Sequence, residues 1–354
     1  MHGAKGSLAV ILVAGLIIGA ARSSSILTTV PVAELQSPHP SLSFSFNEAL
    51  AVSFYSQLST STGLEEEYPG SHTIWLADDQ ALDYYALLST YNSTHDSDAL
   101  RLAQEISGSI AQWGGFYKYW NPALEVIGSY ANTTEDVCGT DQTIGVSQGY
   151  TVKAVVFNSC PGFQYSLFAD LLAYHVLLDL HGQDCGGAES EFSTLSSMWD
   201  GHGFVDEPFQ SEHIYQSYKL AAYVIVWKVL NQNPSTRQFA QSYVSTVNDA
   251  AGIMSSLQSN GSSGWAGGVW TGYRFSNGHL VYGNGVSLEN GETTSFFVLA
   301  TQPQVITTTC QTTTSGVSSP ANEVLQSYAI PIFAVAALLV LAGIALTRRG
   351  PRAV

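Results

Sequence analysis

Residues 213–230 read HIYQSYKLAAYVIVWKVL, and this stretch indicates the fold class. Its apolar side chains recur three or four positions apart, the spacing that places them on one face of an α-helix. Residues 101–113 and 235–257 show the same spacing. We expect the helix over 235–257 to have Asn233 as its N-cap and Pro234 at its first position. Further helices are expected near residues 47–58, 74–90, 164–180 and 292–301.

Three segments between these helices predict β-hairpins instead, at residues 115–130, 143–158 and 264–288. In the third of them, Ser276-Asn277-Gly278 is a hairpin turn signal. The sequence therefore predicts a mainly α domain over residues 45–302, in which helices carry the core and β-hairpins are insertions.

One internal repeat is visible in the predicted domain. PGSHTIWLADDQA at 69–81 aligns with PGFQYSLFADLLA at 161–173, and NGETTSFFVL at 290–299 keeps the glycine and the apolar spacing but lacks the aspartate. Each copy predicts a glycine turn that leads into a helix with an apolar face. The alternative is coincidence, because glycine often precedes a helix.

Two motifs carry a resemblance to a known superfamily. WLADDQAL at 75–82 and ENGETTSFFVLA at 289–300, among alternating helices and hairpin-bearing loops, resemble the six-hairpin glycosidases with an (α/α) toroid. The resemblance implies a toroid-like domain whose inner helices point one end at a cleft. It also implies that carboxylates there act on a polysaccharide while aromatic side chains stack on sugar rings. The chain has fewer helices than a complete ring requires.

Glycosidic hydrolysis needs two carboxyl groups on opposite sides of the scissile oxygen, one protonated and one ionised. Asp78 and Asp79, at the start of an expected inner helix, are candidates for one half of the pair. Glu292 is the candidate for the other half, with Glu289 as its alternative. The competing interpretation is helix capping and dipole compensation, which acidic residues in a first turn routinely perform.

Substrate binding is predicted for aromatic and acidic side chains in glycine-rich loops. Rings separated by glycines, as in residues 264–275, can lie flat against a sugar. A second acidic pair, Asp206 with Glu207, lies in the GHGFVDEP loop at 201–208. The alternative for the rings is packing of hairpins on helices. The predicted binding residues are Trp75, Glu207, Trp265, Trp270 and Tyr273.

No metal or other cofactor is predicted. Asp200, His202, Glu212 and His213 lie close in sequence, but they lack the HExxH spacing of a helical zinc site. The chain has no phosphate-binding loop.

The two ends of the chain predict export and anchoring. Lys5 and the apolar residues 8–18 indicate a signal peptide over 1–23, with an uncleaved anchor as the alternative. Residues 328–346 are uncharged and precede arginines, which predicts one transmembrane helix with a cytoplasmic tail at 347–354. We expect a membrane-anchored surface protein of the archaeal type, with its large domain extracellular.

The segments that flank the domain are predicted to be extended. Residues 24–44 form an N-terminal extended segment, and residues 303–327 are a Thr/Ser-rich stalk too poor in apolar side chains to fold alone. Four cysteines in an exported chain predict two disulfides. We favour Cys138 with Cys160 and Cys185 with Cys310, although three connectivities are open. Sequons for glycosylation begin at Asn92, Asn132 and Asn260.

The charge of the exported part excludes some partners. Five of the 12 basic residues lie in the terminal segments, which leaves seven against 28 acidic residues. Such a chain repels nucleic acid. Charged residues are 11% of the chain, and a surface solvated by hydroxyls and amides suits an acidic habitat, or a glycosylated protein in a neutral one.

Two functions remain open from the sequence. The first is a cell-surface carbohydrate-active protein, a glycoside hydrolase that uses paired carboxylates. The second is a non-catalytic envelope protein that binds a surface glycan or a protein. The expected partners are a carbohydrate and, through the C-terminal helix, the membrane.

Overall fold

The computed structural model describes residues 42, 44–75, 79–113, 137–159, 162–261, 265–283 and 286–303. At 137–139 and 156–159 it describes the backbone alone. The elements below belong to one compact unit that begins at Phe44. The predicted signal, stalk, transmembrane helix and tail lie outside the described residues. Within those residues, no helix has the length and apolar character needed to span a membrane.

The described residues are mainly helical, as the sequence predicts. Most helices are amphipathic and bury one face, while the two central ones are buried nearly all round. The α-helices are α1 (Glu48–Leu58), α2 (Asp79–Thr94), α3 (Ser97–Ile110), α4 (Ala169–His181), α5 (Cys185–Ser197), α6 (Glu207–Glu212), α7 (Ser217–Gln232), α8 (Arg237–Gln241), α9 (Val244–Met254) and α10 (Gly291–Thr301).

Four helices form an inner row, in the spatial order α4, α7, α10 and α2, each packed on the next. Consecutive helices form the hairpins α2–α3 and α4–α5, and α9 packs on α7. In α7, Tyr223 and Trp227 are fully buried, as Phe296 and Phe297 are in α10. A helix that is apolar on all sides must lie inside the protein. We call α2, α4, α7 and α10 the inner helices.

Side chains at the helix starts fix where several helices begin. The Asn47 side chain accepts a hydrogen bond from the Leu50 amide at 3.1 Å and caps α1. Asn290 caps α10 by accepting from the amide of Thr293 at 2.9 Å. These caps satisfy amides that have no partner within the helix. Helices 47–58 and 292–301 were therefore predicted within one residue of their bounds.

Short strands link the helices. The strands are β1 (Thr73–Trp75), β2 (Val137–Ser147), β3 (Tyr150–Ser159), β4 (Tyr215–Gln216), β5 (Val269–Trp270), β6 (Gly272–Ser276), β7 (His279–Tyr282) and β8 (Glu289–Asn290). The sheets have the strand orders β1-β3-β2, β4-β6-β7 and β5-β8, and the pairings are antiparallel except for β1 with β3. The hairpins predicted at 143–158 and 264–288 are present, whereas 115–130 lies outside the described residues.

The helix predicted over 235–257 is broken into α8 and α9. The amide of Ser242 donates to the Phe239 carbonyl at 3.0 Å, and the Ser242 hydroxyl donates to the same carbonyl at 2.6 Å. A serine that bonds back to its own turn competes with the α-helical ladder. The Asn233 side chain accepts from the Ser235 amide at 3.0 Å, which forms a turn before α8 rather than the predicted cap.

Three other helices, α2, α4 and α7, start later than predicted. Helix α4 begins at Ala169 rather than near residue 164, because residues 165–167 form a separate 3₁₀ turn. Residues 74–75 belong to β1, which pairs in parallel with β3, so α2 begins at Asp79. His213 has a left-handed backbone with φ of 56°, and β4 follows it, so α7 begins at Ser217. Helices α5 and α6 were not predicted, because α5 carries two glycines and α6 is a single short turn with a proline.

The internal repeat holds for two of its three copies. Gly70 and Gly162 both have a left-handed backbone, with φ of 81° and 83°, and each precedes an inner helix. Gly291 is instead the first residue of α10. The third copy therefore resembles the other two in sequence, but it lacks their glycine turn.

The structure describes some of the residues that were predicted to form disulfides or carry glycans. Cys185 is disulfide-bonded at the start of α5. The side chains of the other three cysteines lie outside the described residues, so the pairing stays a prediction. Asn92 is exposed, but in the last turn of α2 rather than in a loop, and Asn260 is also exposed. Asn132 is outside the described residues.

Candidate functional site

The amino ends of three inner helices carry charged side chains that interact with one another. Asp170 is the second residue of α4, Tyr218 and Lys219 are the second and third of α7, and Glu292 is the second of α10. Asp206, the N-cap of α6, joins them. We call these five residues the amino-end cluster.

Lys219 is the buried cation of this cluster. Its side chain is 2% exposed, and its Nζ lies 3.6 Å from Oδ1 of Asp170 and forms a short hydrogen bond to Oδ2 of Asp206. A buried ammonium group is stable only when it is paired. The lysine therefore holds two carboxylates from different elements against the start of α7.

Asp206 has a structural role in this arrangement. Its Oδ2 accepts from the Ala169 amide at 3.0 Å as well as from Lys219, and its Oδ1 accepts from the Phe209 amide at 3.4 Å. The side chain is 2% exposed. Because its contacts tie α4, α6 and α7 together, Asp206 is a positioning residue rather than a group open to a ligand.

Asp170 is the more accessible carboxylate, with a side chain that is 18% exposed. Its Oδ2 accepts a hydrogen bond from the Tyr218 hydroxyl at 3.0 Å, and the same hydroxyl lies 3.3 Å from the Gln216 side-chain oxygen. Burial raises the pKa of Tyr218 well above its ordinary value, and the charges of Asp170 and Glu292 raise it further. The tyrosine therefore stays a neutral donor to Asp170.

Glu292 is half-buried at the start of α10. The capping role belongs to its neighbour Asn290, whose side chain bonds the Thr293 amide. Glu292 also lies close enough to Tyr218 to act on its pKa. Two carboxyl groups from different inner helices, Asp170 and Glu292, thus both act electrostatically on Tyr218, and both reach the surface in part.

The chain was compared with known proteins. No protein-family profile matches it, and no curated protein does. Among solved structures it is similar to the GH76A α-1,6-mannanase from Salegentibacter sp. HEL1_6, with 12% identity, a TM-score of 0.25, and coverage of 68% of this chain and 58% of the mannanase.

A second match is an inactive double-aspartate variant of that enzyme in complex with α-1,6-mannotetrose. It has 12% identity, a TM-score of 0.21, and coverage of 66% and 57% of the two chains. The alignments therefore span less than two thirds of the mannanase.

Of the other predicted catalytic residues, the structure describes Asp79 and Glu289. Asp78 lies outside the described residues. Asp79 is the first residue of α2 and is buried, and Glu289 is buried in β8. Trp75 is buried in β1, with the Lys153 ammonium 5.0 Å from its ring centroid.

Of the remaining predicted binding residues, two are exposed and two lie in the core. Trp265 and Glu207 are exposed. Trp270 and Tyr273 are buried, and the Tyr273 hydroxyl donates to the His202 carbonyl at 2.8 Å. The Trp270 ring packs 6.1 Å from that of Tyr282. For these two residues the positions match hairpin packing, the alternative stated above.

Asp170 and Lys219 were missed in the sequence. A signal for Asp170 was present, because the internal repeat aligns it with Asp78, a residue that was singled out. Lys219 gave no signal, since a lysine within an apolar helical stretch is usually expected to face solvent. Its burial depends on Asp206, which lies 13 positions earlier in the chain, before α6.

The group around Asp200 forms a turn. Its Oδ1 accepts from the amides of His202 and Gly203, at 2.9 and 3.1 Å, and its Oδ2 accepts from the Tyr215 hydroxyl at 2.6 Å. The His202 ring stacks on Phe275 at 4.1 Å. Among the described residues, no group of three or more His, Cys, Asp or Glu side chains is arranged to hold a metal ion.

Proposed function

We propose that this protein is a carbohydrate-active protein, a glycoside hydrolase whose helical hairpins form an incomplete (α/α) toroid. The observation that carries the proposal is that Asp170 of α4 and Glu292 of α10 lie at the amino ends of two inner helices that both pack on α7, and both act on Tyr218 of α7. Hydrolysis of a glycosidic bond needs two such carboxyl groups with different roles. The acidic, lysine-poor exterior suits a neutral polysaccharide better than an anionic one.

The roles follow from the contacts. Asp170 accepts a hydrogen bond from the Tyr218 hydroxyl at 3.0 Å, and its Oδ1 lies 3.6 Å from the Lys219 ammonium. We assign it the role of base or nucleophile. We assign Glu292, the second carboxyl group that acts on Tyr218, the role of acid that protonates the leaving oxygen. Asp79, the first residue of the adjacent α2, and Asp78, which precedes it in the sequence, remain proposed as further members of the same site.

The test is a panel of neutral and acidic polysaccharides, with both release of reducing ends and binding measured. The variants are Asp170→Asn and Glu292→Gln, with Asp249→Asn as the control, because Asp249 is exposed on the outer helix α9. Turnover that is lost in the first two and kept in the control supports the hydrolase. Binding of a glycan without turnover by the wild type would favour the non-catalytic envelope protein.

A further inference from the structure

A second group of acidic side chains is buried on the other side of α10, away from α7. Glu65 follows α1 and is 1% exposed. Its backbone is fixed to α2, since its amide donates to the Gln80 side-chain oxygen at 2.9 Å and its carbonyl accepts from the Gln80 amide nitrogen at 2.8 Å. Neither oxygen of the Glu65 carboxyl group has a hydrogen-bond partner.

The carboxyl group of Glu65 has a second acid as a neighbour. Asp83 of α2 is equally buried, and its Oδ1 accepts from the Ser295 hydroxyl at 2.6 Å. The Ser295 hydroxyl lies 2.7 Å from that of Tyr55 in α1. A Cβ atom on Gly291 would lie 2.8 Å from Oδ2 of Asp83, so the start of α10 closes over this carboxylate. The acids are therefore enclosed by α1, α2 and α10.

Among the residues that the structure describes, Glu65 forms no ion pair. The charged and titratable groups that act on Glu65 are Tyr55 from α1, Asp83 from α2, and Arg101 and Glu105 from α3. Arg101 is 48% exposed and is already bound by Glu105, at 2.9 and 3.0 Å. Burial is the main cause that raises the pKa of Glu65 well above its ordinary value, and Asp83 raises it further.

An ionised carboxylate without hydrogen bonds costs several kcal/mol in a protein interior, whereas a neutral carboxyl group costs much less. We propose that Glu65 keeps its proton in the folded domain and works as a pH-sensitive support between α1, α2 and α10, so that the domain is built for acidic surroundings. This inference is independent of the proposed function, because none of its residues belongs to the amino-end cluster.

The sign of the pH dependence follows from proton linkage. In the unfolded chain Glu65 titrates near its ordinary pKa of about 4.3, and in the folded domain its pKa is raised. Above about pH 4.3 the folded state therefore binds one more proton than the unfolded state. The contribution of Glu65 to stability is complete below that pH and is lost as the pH rises to the pKa of Glu65 in the folded domain. Over that range the folding equilibrium constant falls about tenfold per pH unit.

The experiment is urea unfolding of the full chain between pH 3 and 8, for the wild type, Glu65→Gln and Glu212→Gln. Glutamine keeps the shape of the side chain and cannot ionise. Glu212 is exposed and serves as the matched control. We expect Glu65→Gln to be progressively stabilised relative to the wild type as the pH rises above 5, by about tenfold in the folding constant per unit, and Glu212→Gln to follow the wild type.

A difference between wild type and Glu65→Gln that does not change with pH would overturn the proposal. Should Glu65→Gln fail to fold, infrared spectroscopy of the wild type gives an independent answer. A protonated carboxyl band that persists in the folded protein at pH 6 and vanishes on unfolding is expected. The absence of such a band would equally overturn the proposal.

Discussion

Lys219→Met should destabilise the domain strongly, because it removes the cation between two carboxylates and leaves the shape of the side chain nearly unchanged. Asp206 is 2% exposed, so its charge would stay buried without a counterion. Loss of one partner from a buried ion pair typically costs 3 to 5 kcal/mol. Two backbone amides still bond Asp206, and we therefore expect a loss near the lower end, about 3 kcal/mol.

The assay is urea unfolding at pH 7, with the free energy of unfolding obtained by linear extrapolation. Arg274→Met is the control, since Arg274 is exposed, and it should change stability by less than about 0.5 kcal/mol. The double variant Lys219→Met with Asp206→Asn should recover most of the loss, because the unpaired charge is then removed as well. A loss below about 1 kcal/mol, or a double variant no better than the single one, would refute the reasoning.

Three further results are expected from the structure. Gly267→Ala should prevent folding or cost more than about 3 kcal/mol of stability, because the added Cβ would collide with the Leu50 carbonyl. Gly278→Ala should cost less, because Gly278 also has a positive φ, 77°, but has open space around it. Equal losses for the two variants in urea unfolding would contradict this. Phe192→Ala should lower the free energy of unfolding by about 3–5 kcal/mol in the same assay, because the fully buried Phe192 ring stacks on Tyr223. A loss under about 1 kcal/mol would contradict this prediction. Burial lowers the pKa of Lys228 to about 8, so the stability of the domain should rise as the pH increases from about 8 to 10.5, the ordinary pKa of lysine. NMR titration of the Lys228 Cε carbon checks this, and a titration midpoint above 10 would contradict it.

The helices could be predicted because their signals are local. The periodicity of residues 213–230 and the caps Asn47 and Asn290 lie within a few positions of the helices that they define. The break between α8 and α9 depends on one serine that bonds its own turn. The late start of α2 depends on pairing with β3, more than 70 positions away along the chain. Periodicity alone contains neither signal.

The sequence predicted which type of residue forms the candidate site, but not which particular residues form it. Acidic residues at inner-helix starts were expected, and Glu292 is one of them. The pairing of Asp170 with Lys219 and Tyr218 depends on which inner helices are neighbours, and sequence order does not give that. The exposure of aromatic rings was also unpredictable, because Trp265 and Trp270 have similar surroundings in sequence and opposite burial.

The catalytic assignment is tested most directly by the rate at which the wild type and the carboxylate variants release reducing ends from a polysaccharide that the wild type degrades. Asp170→Asn and Glu292→Gln should each lower kcat by roughly 100-fold or more, the usual contribution of a positioned acid or base. The free energies of unfolding of Glu292→Gln and Asp249→Asn should stay within about 1 kcal/mol of the wild type, and Asp170→Asn should remain folded because Asp206 still pairs with Lys219. Full turnover in both Asp170→Asn and Glu292→Gln would contradict the assignment of these two residues as the catalytic pair.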